Sequence, residues 1–260
     1  MVVDSAALTV PPDGPSGADW SIRLDGVTRS RAGERVLDGL DLTVAAGEIV
    51  AIVGRSGCGA TTALRVIAGL ERADTGTVRI ADGERVVTVF THTTVPRFGG
   101  VRDAVATIRR RAGDPDADLH AEELCAVVGL TDPDAATHRL ARGDRRRVLL
   151  ARALASGARI LLLDDPLDGL QTYERAVLRD RLTEHLRARG MTAVWVTRET
   201  AEAAAVADRI AVMVGGRIAA SGRPEDLFRH MGDPEVAAVL GPVSTVPGIV
   251  EDVTVDVWGQ

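Results

Sequence analysis

The sequence predicts an α/β protein with a mainly parallel sheet at its core, an antiparallel β flank and a helical insert. Short apolar runs alternate with helical patterns along most of the chain, as in sheets whose parallel strands are joined by helices. The beginning of the chain is rich in strand patterns, which indicates the antiparallel flank. Residues from about 98 to 155 carry little strand pattern, which predicts the insert.

The individual elements follow from apolar, β-branched runs and from the helical spacing of apolar residues. Residues 49–53, with the sequence IVAIV, are entirely apolar, as expected of a strand buried on both faces. In chain order we predict strands at residues 21–27, 40–44, 48–53, 77–81, 85–90, 160–164, 193–197, 210–214 and 217–220. We predict helices at residues 61–68, 122–128, 145–155, 173–188, 201–207 and 224–229.

Composition limits the class of protein. The 260 residues include 31 basic and 37 acidic side chains, a net charge of −6 that argues against a dedicated nucleic-acid binder. The two cysteines, Cys58 and Cys125, do not make a disulfide framework, so a reducing cytosol is expected. Since no apolar run approaches the roughly 18 residues that span a bilayer, we expect any membrane role to depend on a partner.

Three parts can be distinguished along the chain. Residues 1–19 are rich in Pro, Gly, Ser and Asp, which predicts a disordered lead-in. This segment lacks the basic start and continuous apolar stretch of a secretory signal. Residues 20–232 carry the strand and helix patterns of the main domain, and residues 233–260 are β-branched again, which predicts a short β-rich tail.

A glycine-rich segment, GRSGCGATT, follows the strand predicted at 48–53. Strand, glycine-rich turn and helix form the setting in which backbone N–H groups and a helix N-terminus bind phosphates. Gly54, Gly59 and Thr61 match the phosphate-loop pattern, but Ala60 occupies its lysine position. The predicted phosphate-binding residues are Gly54, Arg55, Ser56, Gly57, Cys58, Gly59, Ala60, Thr61 and Thr62.

The strand predicted at 160–164 ends in two carboxylates, Asp164 and Asp165. A strand that delivers carboxylates beside a phosphate loop is how P-loop enzymes hold Mg²⁺ and polarise water. An ordinary strand leaving the core, capped by these residues, is the alternative. The phosphate loop in the same chain favours the metal site.

Between these motifs lies the segment LARGDRRRVLLARAL, residues 140–154. It resembles the signature segment of ATP-binding-cassette (ABC) ATPases, Leu-Ser-Gly-Gly-Gln followed by Arg-x-Arg-Val and Ala-Arg-Ala-Leu. The resemblance extends from about Ser21 to Met231, through LDGLDLTVAAGEIVAIVGRSGCG, IAGLERADTG, ARALASGARILLLDDP and ADRIAVMVGGRIAASGRPEDLF in the family's order and spacing. The end of the chain is similar to the exit into the C-terminal β-domain of ABC importers for iron(III), polyamines, sulfate, molybdate or sugars. We therefore expect residues 233–260 to be a vestige of that regulatory domain.

The resemblance implies the P-loop NTPase fold of an ABC cassette at residues 20–232, with ATP and Mg²⁺ as cofactors. It also implies a membrane permease and a second cassette as partners, a solute-binding protein indirectly, and a peripheral place on the cytoplasmic face of the membrane. By the same resemblance, Mg²⁺ would be held by Thr61, Asp164 and Thr91. The signature residues would be Leu140, Ala141, Arg142, Gly143 and Asp144.

Several positions depart from the family pattern. In the following list the residue of this chain comes first and the residue that it replaces in the family comes second. Arg31 replaces the aromatic ring that stacks on adenine, Ala60 the phosphate-loop lysine, and Thr91 the loop glutamine. Ala141, Arg142 and Asp144 replace the signature Ser, Gly and Gln, Asp165 the catalytic glutamate, Gln171 a loop aspartate, and Arg198 the γ-phosphate histidine. The catalytic positions, Asp165 and Arg198, are therefore degenerate. We expect nucleotide binding to be weakened and hydrolysis to be weak or lost.

Two other functions remain open from the sequence. One is a slow but genuine Mg²⁺-ATPase in which Arg198 compensates for the lost lysine, and the other is a soluble interaction protein detached from transport. The arginines at 139, 142 and 145–147 are a candidate nucleic-acid patch, but solvated arginines on a helix surface are the more common case. We therefore predict no nucleic-acid partner.

Overall fold

The computed structural model describes residues 20–96, 99–229 and 233–241. The strands there are β1 Trp20–Arg31, β2 Glu34–Ala45, β3 Ile49–Gly54, β4 Thr75–Ile80, β5 Val86–Val89, β6 Ile160–Asp164, β7 Thr192–Thr197, β8 Arg209–Val214 and β9 Arg217–Gly222. The α-helices are α1 Ala60–Ile67, α2 Val101–Arg111, α3 Ala117–Val127, α4 Arg142–Ala155, α5 Thr172–Ala188, α6 Thr200–Val206, α7 Pro224–Arg229 and α8 Pro234–Leu240.

The larger sheet has six strands in the order β5-β6-β7-β3-β8-β9. The first five run parallel, and β9 is antiparallel to β8. Every residue of β3, β6 and β7 is buried, as the apolar runs predicted. Because β6, β7 and β3 are neighbours and parallel, their carboxyl ends meet at one edge of the sheet, where ligands bind in such folds.

The smaller sheet is antiparallel, with the strand order β2-β1-β4. Alternate residues of β3 point to opposite sides of the larger sheet, which gives the protein two apolar clusters. Val50 and Ile52 pack with the smaller sheet and with Leu64 of α1. Ile49 and Val53 pack toward the other helices. The predicted α/β class with an antiparallel flank is confirmed.

Helices α2, α3 and α4 pack on one another and form the predicted helical insert. Helix α2 lies within this insert and was not predicted as a separate helix. The longest helix in the described ranges is α5, with 17 residues, and it carries many charged side chains. Nowhere in those ranges is a helix both long enough and apolar enough to cross a bilayer.

The β-rich tail predicted from residue 233 is wrong over residues 233–241, which contain α8. The Asp233 carboxylate caps this helix by accepting a hydrogen bond of 2.7 Å from the Glu235 N–H, and Pro234 occupies the first turn. Val236 and Leu240 are buried in the main core, so the folded unit extends past the predicted boundary at 232. The predicted lead-in at 1–19 and the tail beyond 241 lie outside the described residues.

Candidate functional site

The predicted phosphate loop links β3 to α1, and its conformation depends on glycine at two points. Gly59 immediately precedes α1 with a φ of 103°, in the left-handed region that disfavours other residues. A Cβ at Gly59 would lie 2.6 Å from the carbonyl oxygen of Val36. A Cβ at Gly54 would lie 2.7 Å from the carbonyl oxygen of Met213. The loop is therefore packed against β2 and β8 too closely for a side chain at either position.

Two neighbouring segments form hydrogen bonds with this loop. The Gly216 N–H, in the turn between β8 and β9, donates to the Cys58 carbonyl at 3.0 Å. The Arg55 guanidinium donates to the Ala238 carbonyl of α8 at 3.3 Å. Burial raises the pKa of the half-buried Cys58 thiol, which disfavours a reactive thiolate.

The three predicted metal ligands meet at the carboxyl end of β6. The Thr61 hydroxyl donates to Asp164 Oδ1 at 3.1 Å, and the Thr91 hydroxyl donates to Asp164 Oδ2 at 3.3 Å. Hydroxyl and carboxylate oxygens fit Mg²⁺, which is commonly held by one or two protein ligands, waters and substrate phosphates. The described part of the chain has no group of three or more His, Cys, Asp or Glu arranged for a metal.

The two candidate catalytic residues contact each other. Arg198 Nη2 lies 3.3 Å from Asp165 Oδ2; the arginine side chain is 67% exposed and the aspartate side chain 18%. Asp165 has a φ of 47°, an uncommon value for a residue other than glycine. Its N–H donates to the Val196 carbonyl at 2.9 Å, which ties this turn to β7. The candidate base is therefore held in a fixed backbone position with a cation against its carboxylate.

Arg146 is a site residue that the sequence analysis missed. Its guanidinium donates to the carbonyl oxygens of Phe90 at 2.9 Å, Asp164 at 2.5 Å, Asp165 at 2.6 Å and Pro166 at 3.0 Å. It thereby joins the end of β6 to the segment that carries Thr91. Burial lowers its pKa, and the charges of the nearby aspartates oppose that shift.

The interpretation of the 145–147 run as solvated helix-surface arginines is wrong for two of its members. Arg146 is only 5% exposed and Arg147 only 8% exposed. Arg147 donates to the Val128 carbonyl at 2.8 Å, at the end of α3. No local pattern separates these side chains from the exposed Arg145, because their burial depends on the distant segments that they contact, the ends of α3 and β6.

Arg142, at the start of α4, reaches the site within its own chain. Its Nη2 atom lies 2.5 Å from Asp168 Oδ2, in the loop after β6. The aliphatic part of its side chain lies over Gly169, where a Cβ would come within 2.8 Å of Arg142 Cγ. The other predicted signature residues, Leu140, Ala141, Gly143 and Asp144, do not line the cleft described next.

The loop, the carboxylates and the two arginines surround one cleft of about 440 Å³. Val36, Asp168, Val196 and Thr197 contribute to its wall without having been predicted. The remaining lining residues are Gly54, Arg55, Ser56, Gly57, Cys58, Gly59, Ala60, Thr61, Thr62, Thr91, Arg142, Asp164, Asp165 and Arg198. The structure thus brings together nearly all the predicted nucleotide and metal residues.

Arg31 is the predicted nucleotide-binding residue that the structure places elsewhere. It does not line the cleft, and its guanidinium holds Glu71 through contacts of 2.9 and 2.5 Å. Arg29 donates to the same carboxylate at 2.8 Å. The hydrogen bond from Arg31 and the charges of both arginines lower the pKa of Glu71 to about 2, although burial opposes the shift.

The comparisons with known proteins agree on one family. Residues 37–168 match the family described as "ABC transporter". The chain is 37% identical over 245 residues to the aliphatic sulfonates import ATP-binding protein SsuB of Rhodopseudomonas palustris, covering 87% of this chain and 86% of that protein. It is 33% identical over 251 residues to the Fe(3+) ions import ATP-binding protein FbpC of Escherichia coli, covering 92% and 72%. The sulfate/thiosulfate import ATP-binding protein CysA of Methylococcus capsulatus is 37% identical over 248 residues, covering 88% and 71%.

Solved structures agree at the level of the fold. A dimeric ATP-binding cassette in a post-hydrolysis state with ADP and Pi aligns with a TM-score of 0.69, over 78% of this chain and 98% of its own. The ADP conformation of another cassette, from an ABC transporter, aligns with a TM-score of 0.72, over 85% and 98%. Sequence identity is 21% in both comparisons, so they show the shared fold alone.

Proposed function

This chain belongs to the ABC transporter family, and on that premise we propose that it is the ATP-binding subunit of an importer whose hydrolysis is weak or lost. Its relatives are named as import ATP-binding proteins for sulfonates, sulfate or thiosulfate, and iron(III). This role requires a membrane permease, a second cassette and, indirectly, a solute-binding protein. The chain would then be a cytoplasmic subunit held at the inner face of the membrane by its permease.

Retained nucleotide binding is supported by the phosphate loop and the oxygen cluster beside it. The helix α1 begins at Ala60, directly after the Gly59 turn, so its free N–H groups face the cleft. Thr61 and Asp164 remain in contact at 3.1 Å, in a position to bind Mg²⁺ when it accompanies ATP. The missing lysine removes a charge-assisted hydrogen bond of roughly 1.5–3 kcal/mol, or about 10- to 150-fold in affinity. We therefore expect weakened binding rather than none.

The contact between Arg198 and Asp165 carries the proposal of weak hydrolysis. A carboxylate that activates water needs an acceptor oxygen aimed at that water, and the Arg198 guanidinium, 3.3 Å from Asp165 Oδ2, competes with water for one of the two oxygens. Arg198 is permanently charged and cannot accept a hydrogen bond as a neutral histidine can. Aspartate is also one methylene shorter than glutamate, and a displacement on the order of 1 Å can reduce a rate by roughly 10²-fold.

The segment that would transmit closure to the permease runs through residues 91–101, of which 97 and 98 lie outside the described residues. Its first residue, Thr91, contacts Asp164 in the cleft. The adjoining Phe90 carbonyl is bound by Arg146. A ligand in the cleft would therefore change the contacts at the start of this segment, and ATP cleavage would not be needed for this change.

A slow Mg²⁺-ATPase is the second candidate function. The intact cluster of Thr61, Thr91 and Asp164 favours it, because these oxygens are the part of the site that a metal-dependent reaction uses. In this case Arg198 would leave Asp165 and take the place of the missing lysine against the γ-phosphate.

One experiment distinguishes the two functions. MgATP binding by calorimetry and phosphate release are measured for the natural chain and for Ala60→Lys, with Asp164→Asn as the control that lacks the metal carboxylate. We expect the natural chain to bind MgATP, and Ala60→Lys to bind more tightly, while neither releases phosphate faster than the control. A sharp rise in phosphate release by Ala60→Lys would favour the slow ATPase. Absence of MgATP binding at millimolar concentration would contradict both.

A further inference from the structure

Arg146 is a buried arginine that lies beside the cleft without lining it. Its side chain projects from the beginning of α4. Nε donates to the carbonyl oxygen of Pro166, Nη1 to that of Phe90, and Nη2 to those of Asp164 and Asp165. A guanidinium carries five N–H donors in a rigid planar fork, so it can hold several backbone carbonyls in fixed relative positions.

These carbonyls lie where the backbone pairing of two strands ends. β5 and β6 are parallel neighbours, and their last paired residues are Val89 and Leu163. Phe90 and Asp164 follow directly, and the Arg146 guanidinium bridges their carbonyl oxygens at 2.9 and 2.5 Å. The side chain therefore connects the two segments beyond the point at which the hydrogen bonds between the strands end.

The same two segments carry predicted metal ligands. Asp164 is itself a predicted ligand, and the Phe90 carbonyl belongs to the peptide group that precedes Thr91. The Thr91 hydroxyl lies 3.3 Å from the carbonyl oxygen of Asp164 and 3.3 Å from its Oδ2 atom. Arg146 thus holds the backbone on both sides of the contact between Thr91 and Asp164. Removal of an outer contact that orients metal ligands typically lowers metal affinity roughly 10- to 100-fold.

The hydrogen bonds of Arg146 do not occupy the carboxylate oxygens of the site. The four bonds go to backbone carbonyls, whereas Oδ1 and Oδ2 of Asp164 accept from the hydroxyls of Thr61 and Thr91. Burial lowers the pKa of the guanidinium, and the charges of the nearby aspartates oppose that shift. The arginine therefore balances the carboxylates electrostatically and leaves their oxygens to other partners.

Arg147 provides a comparison within the same helix. It is also buried, and its Nη1 atom donates to the Val128 carbonyl at 2.8 Å, at the end of α3. Neither Arg147 nor Val128 lines the cleft, and Val128 is not a predicted ligand. The two arginines are therefore matched in burial and in the type of acceptor, and they differ in what the bound segments carry.

From these contacts we propose that Arg146 is a positioning residue for the magnesium site. It holds the backbone at Phe90 and Asp164, which keeps the Thr91 hydroxyl and the Asp164 carboxylate together at the end of β6. This role is distinct from a contribution to stability, because it affects the part of the ATP affinity that depends on the metal. The inference rests on the proposed nucleotide-binding function and adds the residue that supports its metal dependence.

The test compares the affinity of the full-length chain for ATP in Mg²⁺ and in EDTA, measured by calorimetry. The ratio of the two affinities measures the contribution of the metal. Arg146→Lys is the main variant, because it keeps the charge and part of the donors but loses the planar fork. We expect its ratio to be roughly 10- to 100-fold lower than that of the natural chain, with little change in EDTA. Equal ratios for the two proteins would overturn the inference.

Arg147→Lys is the matched control, since it alters a buried, carbonyl-bound arginine of α4 that does not contact the site. Its ratio should equal that of the natural chain. If it lowers the ratio as much as Arg146→Lys does, the effect comes from disturbed packing of the helix, and the inference is overturned.

A second variant leaves Arg146 in place. Thr91→Val removes the hydroxyl that Arg146 is proposed to position, so it should also lower the ratio. An unchanged ratio would mean that the site has no threonine ligand at this position, and would overturn the inference. In Asp164→Asn, adding Arg146→Lys should lower the ratio no further, because both changes act on the same ligand. Additive losses would place the action of Arg146 elsewhere.

The natural chain alone separates this inference from the proposed function. If it binds ATP equally well in Mg²⁺ and in EDTA, the positioning role is overturned and nucleotide binding stands. If it binds ATP in neither condition, both are overturned.

Discussion

The Nη2 atom of Arg142 lies 2.5 Å from the Oδ2 atom of Asp168, so the first turn of α4 is ion-paired with the loop after β6 in the same chain. The Arg142 side chain also covers Gly169. In the proposed dimer, this is the surface on which a signature glycine would let the partner's phosphates approach. A long side chain there would keep the two surfaces apart in that dimer.

Replacing Arg142 with alanine is expected to increase self-association in saturating MgATP, as measured by sedimentation velocity. The stability of the monomer should change by less than about 1 kcal/mol, because the ion pair is largely exposed. Arg139→Ala, at an exposed position in the preceding turn, is the matched control. If Arg142→Ala and Arg139→Ala sediment alike, Arg142 does not limit dimerisation.

Replacing Arg146 with methionine is expected to lower the free energy of unfolding by about 3 kcal/mol or more. The substitution removes the hydrogen bonds from a charged donor to the carbonyl oxygens of Phe90 and residues 164–166, and a hydrogen bond to a charged group contributes roughly 1.5–3 kcal/mol. The exposed neighbour offers a control, since Arg145→Met should change stability by no more than about 0.5 kcal/mol. Urea denaturation followed by circular dichroism measures both. Equal midpoints for the two variants would show that Arg146 does not hold this edge of the sheet.

Gly59→Ala and Gly57→Ala should differ in how much stability they lose, although both glycines have positive φ, 103° and 84°. A Cβ at Gly57 meets nothing within 4 Å, so the expected loss is the conformational strain of about 1–2 kcal/mol. A Cβ at Gly59 meets the Val36 carbonyl at 2.6 Å, so Gly59→Ala should lose more stability and also weaken MgATP binding. Thermal melts and calorimetry provide the two measurements. Equal losses would imply that the loop moves away from β2 without cost.

The ionisation of Glu71 makes the free energy of unfolding depend on pH in the acid range. Its pKa falls from 4.5 to about 2 on folding, so the ionised form is favoured in the folded state. This contribution is complete above pH 4.5 and disappears as the pH falls to about 2.

Glu71→Gln should therefore be less stable than the natural chain at neutral pH, and the difference should close near pH 2. Urea midpoints across this range test it, with Glu34→Gln, an exposed position in β2, as the control substitution. A difference that stays constant with pH would rule out Glu71 as the titrating group.

Local patterns predicted much of the fold and the cleft. The alternation of apolar runs with helical spacing predicted β3, β6 and β7. These strands are recognisable because a strand buried on both faces is a continuous apolar run. Glycine spacing located the phosphate loop, since few other residues adopt its backbone angles. Two helices were not predicted. Helix α2 was not named, and α8 lies where a β-rich tail was predicted, whereas the capping pair Asp233 and Pro234 begins a helix.

The roles of the arginines depended on the tertiary structure. The sequence placed Arg31, Arg142 and Arg198 at motif positions and gave no sign of the role of Arg146. Long charged side chains occur at the surface or in the interior with equal local patterns. Their partners are distant along the chain: Glu71 for Arg31, and the loop after β6 for the others. The sequence thus determined which backbone forms the phosphate loop, because that depends on neighbouring residues. Only the folded arrangement decided which charges meet, because each contact joins segments that the parallel sheet brings to one edge.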